Sequence, residues 1–232
     1  MSVEIPIIDL KSVTKQYSRL DEKNEVSVLC GIDLSVYKGE SIAVTGPSGS
    51  GKSTLLNIMG TLDTATSGEV IFDSKELQTL NENEISLIRN KKIGFIFQEH
   101  HLLPQYTVLE NVLLPTVPFP EKNDENIQEK TIELLTYVEL DERIDHYPCE
   151  LSGGELMRVA VVRALINEPL IVLADEPTGS LDYESSKIIG ELLLKFNRDI
   201  GMSLVTVTHS SDIAGMMSIE YKLLDGKLLK VR

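Results

Sequence analysis

Stretches of alternating or continuously apolar residues give way repeatedly to stretches with apolar residues at every third or fourth position. The first kind reads as strand and the second as helix. Residues 26–36 and 41–45 are β-rich, and the second run leads straight into Gly46. Residues 52–59 predict a helix, and 69–72 and 93–97 predict short strands. Between 124 and 140, Ile127, Leu134, Leu135 and Val138 recur with a helical period. Residues 170–174 are apolar throughout, as for a strand buried on both faces. Residues 183–196 place Ile189, Leu192, Leu193 and Phe196 on one side of a helix, and 203–208 and 221–224 predict further strands. The alternation predicts an α/β fold with a central, mainly parallel sheet. The polar stretch 18–25 predicts a loop, and the Pro-rich segment 113–126 a connection from the core to a helical part at about 124–165. There is no internal repeat and no low-complexity linker.

At 232 residues and 42% hydrophobic, the chain is expected to bury one well-formed core. The net charge of -14 argues against a nucleic-acid partner, because phosphate neutralisation supplies most of such affinity. Cys30 and Cys149, with no signal-like start in MSVEIPIIDL, read as reduced thiols of a cytosolic protein, Cys149 as a small packing residue. No apolar run approaches the ~20 residues that span a bilayer, so the expectation is a soluble chain whose link to a membrane runs through a partner.

Candidate chemistry begins at Gly46-Pro47-Ser48-Gly49-Ser50-Gly51-Lys52-Ser53-Thr54, between a predicted strand and a predicted helix. Glycines let backbone N–H groups curl around phosphate oxygens, and the helix N-terminus adds partial positive charge. In this P-loop pattern Lys52 reaches the β- and γ-phosphates and the Ser53 hydroxyl binds Mg²⁺. Asp175 and Glu176 close the apolar strand: the first is placed to hold Mg²⁺, the second to polarise an attacking water, pointing the other way if strand geometry persists. A second cradle, Ser152-Gly153-Gly154, opens the apolar helical run that ends near 165. It lacks a lysine, so it suits a phosphate already held elsewhere.

Together, residues 46–54, Gln98, LSGGE at 151–155, LIVLADE at 170–176, SLD at 180–182 and His209 resemble the ATP-binding subunit of an ABC transporter over essentially the whole chain. The resemblance implies a P-loop NTPase fold of ABC type. That fold has a mainly parallel core sheet with an N-terminal antiparallel β part (residues 1–97 and 168–232) and a helical subdomain (98–167). It implies ATP and Mg²⁺ as ligands, ATP hydrolysis, and an ATP-dependent head-to-tail homodimer in which Ser152, Gly153, Gly154 and Glu155 of one chain close on the ATP of the other. It further implies that Tyr17 stacks on adenine, that Gln98 senses Mg²⁺ and the attacking water, that Asp182 orders the dimer interface, and that His209 contacts the γ-phosphate. Departures from the usual pattern are Glu155 for glutamine, the LMR run at 156–158, and Ser210 where aspartate is commoner.

The stretch FQEHHLLPQYTVLENVLLP (97–115) follows Gln98, where the family docks its membrane subunit, and Leu102, Leu103 and Pro104 look exposed enough to receive a coupling helix. His100 and His101 are not read as a metal site, since no further ligand is in view. With HHLLP and ADEPTGSLD, the chain looks most similar to the lipoprotein-releasing and macrolide-exporter group. This implies LolC/LolE-like or MacB-like integral membrane permease partners, a peripheral position on the cytoplasmic side of the inner membrane, and mechanotransmission. Alternatives are a cell-division regulator of the FtsE kind and a macrolide or peptide exporter. A DNA-repair or ribosome-associated ATPase is disfavoured by length, single motif set and charge, and a non-catalytic nucleotide-binding module by the intact Lys52, Asp175, Glu176 and His209.

Overall fold

In the computed structural model, which describes residues 5–18, 25–118 and 125–232, the N-terminal third forms an antiparallel sheet. β1 (Ile8–Ser18) pairs with β2 (Glu25–Val36), so that Ile8 faces Val36 and Ser18 faces Glu25. The expected loop at 18–25 therefore begins and ends inside paired strands, and its residues 19–24 lie outside the described residues. After β3 (Ser41–Thr45) and helix α1 (Lys52–Met59), the chain returns to this sheet through β4 (Ser67–Phe72) and the short β5 (Lys75–Glu76), giving the order β2-β1-β4-β5.

Helix α2 (Glu82–Lys92) leads to β6 (Ile93–Phe97). A mainly helical stretch follows, with α3 (Val108–Leu113), α4 (Glu125–Tyr137) and α5 (Gly153–Leu165). Helix α4 is shorter than the predicted 124–140: Asp124 lies outside the described residues, and Leu140 follows the helix. The rest alternates: β7 (Ile171–Asp175), α6 (Tyr183–Ile200), β8 (Ser203–Val207), α7 (Ser211–Met216), β9 (Ile219–Leu224) and β10 (Lys227–Lys230). Sheet order is β10-β9-β3-β8-β7-β6, parallel except for the β9–β10 hairpin.

This sheet is buried on both faces, and strand alternation divides its side chains between two cores. Val172 and Ala174 of β7, Leu204 of β8 and Ala43 of β3 join the core formed with α3–α6. Ile171, Leu173, Val205, Ile42 and Val44 join the core shared with α1 and the antiparallel sheet. The parallel strands all point their C-terminal ends to one edge. Thr45, Phe97, Asp175 and Val207 therefore deliver the loops that follow them to a common crevice, where ligands of open α/β sheets bind.

Candidate functional site

At that edge β3 runs into the loop 46–51. A Cβ on Gly46 would stand 2.4 Å from the Leu223 carbonyl oxygen, so no larger residue fits. Gly51, the N-cap of α1, has φ 100°, and a Cβ there would meet Val28 Cγ1 at 2.9 Å. The loop curls tightly enough that Lys52, buried, donates to the loop's own carbonyls, Gly46 O at 2.9 Å and Pro47 O at 3.1 Å. The Ser50 hydroxyl is buried without a partner. A loop with an orphaned hydroxyl and a lysine folded onto carbonyls fits a phosphate chain, which would take both donors.

A cleft of about 540 Å³ opens beside the loop. It is lined by Ser48, Gly49 and residues 51–54, by Gln98, Glu176 and His209, and by Val28 of β2. Asp175 sits below it at the end of β7, hydrogen-bonded to Ser53, with burial first and the neighbouring Glu176 charge second raising its carboxyl above the ordinary 3.8. The donor set at this end is all hard oxygen, from the Ser53 hydroxyl, the Asp175 carboxylate and the Gln98 amide, which fits Mg²⁺.

Strand geometry does not persist through Glu176. The residue has φ 47°, and its N–H bonds Val207 O at 2.9 Å. The turn, rather than strand alternation, places Glu176 in the cleft. Its Oε2 lies 2.9 Å from His209 Nδ1 and accepts the His209 N–H at 3.2 Å. Gln98 packs against Gly179, and its carbonyl accepts from Ser180 Oγ at 3.3 Å. Residues from four loops are thus brought together.

Ser152 is elsewhere. It caps α5: its hydroxyl donates to Glu155 Oε2 at 2.6 Å and accepts the Glu155 N–H at 3.3 Å. The Ser152 N–H also bonds Glu155 Oε2, at 2.8 Å, and Arg143 Nε stands 3.3 Å from Oε1. Gly153 faces Leu181 and Gly154 faces Ser185. Asp182 caps α6, accepting from Ser185 N at 2.9 Å and Ser185 Oγ at 2.6 Å. None of Ser152, Gly153, Gly154, Glu155 or Asp182 lines the cleft. One chain does not bring its two cradles together.

Tyr17 is 42% exposed near the end of β1, with its hydroxyl on Asp63 Oδ2 at 2.6 Å and Thr54 within hydrogen-bonding reach. Val28 and Asp63 were not singled out in the sequence. Val28 carries no chemical signal, and Asp63 meets its partners only through the fold.

The segment after Gln98 is less open than its composition suggests. Leu102 is half-buried against the helical core, and only Leu103 and Pro104 of the trio are exposed. His100 and His101 have φ 51° and 49°, and Arg163 of α5 donates to both their carbonyls, at 2.6 Å to His101 O. Buried Asn111 gives Nδ2 hydrogen bonds to Leu103 O, Tyr106 O and Thr107 O and accepts the Leu103 N–H at 2.7 Å. Among the described residues no group of His, Cys, Asp or Glu is arranged for a metal ion. Cys149 is exposed, not a packing residue, because the short helical turn holding it lies on the surface; Cys30 is exposed too. Among the described residues no helix is long and apolar enough to cross a membrane.

Residues 29–179 match the model of the ABC transporter family. The chain is 45% identical over 225 residues to the lipoprotein-releasing system ATP-binding protein LolD of Saccharophagus degradans, covering 97% of each chain. It is 42% identical over 231 residues to the protein of the same name from Alcanivorax borkumensis, covering all of both. Among solved structures, the dimeric post-hydrolysis state of the ATP-binding cassette MJ0796 bound to ADP and Pi matches with a TM-score of 0.87 at 40% identity, over 97% of this chain and 99% of that one.

Proposed function

The chain belongs to the ABC transporter family, and from that premise we propose that it hydrolyses ATP as a peripheral subunit on the cytoplasmic side of an inner-membrane lipoprotein-releasing assembly. The observation that carries the catalytic part is the cleft in which the 46–54 loop faces Gln98, Glu176 and His209. In this reading the loop from Gly46 to Thr54 cradles the triphosphate. Lys52 leaves its two carbonyls for the β- and γ-phosphates, and Tyr17 stacks on the base. Ser53, Asp175 and Gln98 would hold Mg²⁺, which neutralises charge on the phosphates when bound. Glu176 orients water and takes its proton as the water oxygen bonds the γ-phosphorus and the bond to the bridging oxygen breaks. His209, linked to Glu176, faces the departing phosphoryl group.

The separation of Ser152 from the cleft supports a head-to-tail dimer: Ser152, Gly153, Gly154 and Glu155 of one chain would complete the other's site, with Asp182 at the seam. Residues 1–97 with 168–232 form the nucleotide-binding core in this reading, and 98–167 the helical subdomain that meets the membrane partners, LolC/LolE-like or MacB-like permeases. The relatives' names favour lipoprotein release over the division-regulator alternative.

The test is capture. Tagged Glu176→Gln chain, expressed in its native host and recovered from gently solubilised membranes with ATP present, is expected to bring down two related permease subunits, or one doubled, with lipoproteins. Recovery of one small membrane protein with cell-wall hydrolases and no lipoprotein would replace this reading with the division-regulator one.

A further inference from the structure

Lys15 is 9% exposed in β1, and a lysine so buried requires partners. Its Nζ donates to Asp63 Oδ1 at 2.6 Å and to Thr64 O at 2.8 Å. Asp63 lies just beyond the C-terminal end of α1, and its Oδ2 accepts the Tyr17 hydroxyl at 2.6 Å. The Thr64 N–H adds a bond to Oδ1 at 2.7 Å. Despite the register shift at Lys15/Gln16, Lys15 and Tyr17 meet on one face of β1, where the ammonium lies 4.8 Å from the ring centroid. Burial would raise the Asp63 carboxyl, but the hydrogen bonds from Lys15, Tyr17 and Thr64 outweigh it and hold it below the usual range.

A ring that only stacks on a base needs no hydroxyl. Here the hydroxyl is engaged: Asp63 accepts it from just past α1, with its own N–H folded back onto Asn57 O at 3.2 Å, and Thr54 of the first turn of α1 stands within hydrogen-bonding reach. We propose that Asp63, held by Lys15, is a positioning residue that fixes the plane of the Tyr17 ring beside the first turn of α1, so that the base platform keeps its place relative to the loop that cradles the phosphates. The proposal rests on the reading of Tyr17 as the base platform.

The experiment is steady-state ATPase kinetics of the full chain for Tyr17→Ala, Tyr17→Phe, Asp63→Asn and the Tyr17→Phe/Asp63→Asn pair, with inorganic tripolyphosphate as a competitor that lacks a base. Tyr17→Phe and Asp63→Asn are each expected to raise KM for ATP about 5- to 10-fold at unchanged kcat, the worth of a typical intramolecular hydrogen bond. The pair is expected to be no worse than either alone, and tripolyphosphate inhibition to stay as in the parent chain. An unchanged KM in Tyr17→Ala removes the base-platform reading and this proposal with it. A raised KM in Tyr17→Ala with normal KM in Tyr17→Phe and Asp63→Asn overturns the positioning proposal alone. Loss of kcat and weaker tripolyphosphate inhibition in both single variants also overturns it, by assigning Asp63 to the fold. Tyr17→Phe removes one oxygen and keeps the ring, so the test survives if Asp63→Asn folds poorly.

Discussion

Glu155 and Glu176 are both acids at helix or strand ends, yet their surroundings set them different tasks. Glu155 accepts from the Ser152 hydroxyl and N–H and from Arg143, which together lower its carboxyl from the ordinary 4.5 to about 2. Because the folded value lies below the unfolded one, its contribution to stability is complete above about pH 4.5 and fades as pH falls toward 2. Thermal melts from pH 6 to about 2 are expected to show the difference between the parent and Glu155→Gln shrinking through that window. An unchanged difference would deny Glu155 its capping role. The Glu176 carboxylate instead lines the cleft, with Oε2 on the His209 ring and N–H, where the proposed function gives it the attacking water. Glu176→Gln is expected to lose at least 100-fold in phosphate release while retaining ATP binding; rapid hydrolysis by that variant would return the water-activating role to another group.

Elements differ in how plainly the sequence announces them. The strands of the parallel sheet are short apolar runs buried on both faces, and their positions were readable within a residue or two. β1 was not, because register shifts at three places break its alternation. α2 was not, because only Ile88 is buried along it, and its start rests on the Asn81–Glu84 capping box. In the 98–117 segment, a single polar side chain does the work an apolar pattern does elsewhere: Asn111 holds the turn before its own helix with four hydrogen bonds. Asn111→Ala removes those bonds, leaving Leu103 O and Thr107 O with a backbone partner each but the part-buried Leu103 N–H and Tyr106 O without their amide, and is expected to cost about 2–4 kcal/mol in denaturant unfolding. A loss below about 1 kcal/mol would mean that the turn holds itself.

For the whole molecule, the decisive fact is the distance in the fold between two phosphate-binding candidates that the sequence alone could only list. The 46–54 loop was legible because its chemistry is contiguous. The Glu176 turn, the Tyr17–Asp63 bond and the Arg163 contact were not, since each joins residues 33 to 63 positions apart. If each cleft is completed by a second copy, specific ATPase activity must rise with protein concentration until dimers saturate. Ser152→Arg is then expected to abolish hydrolysis while leaving single-chain nucleotide affinity within about 2-fold, read by fluorescent-nucleotide titration. Equal loss of affinity would put the second cradle on its own chain's nucleotide.

Arg163 gives α5 a mechanical character. The helix begins at the Ser152 cap and, about 16 Å further along, is pinned to the backbone at His100 and His101, just ahead of exposed Leu103 and Pro104. In the proposed dimer, a tilt of α5 of about 10° imposed at its serine end would displace the Arg163 end by about 3 Å, which ties the geometry of the second cradle to that of the loop at His100 and His101.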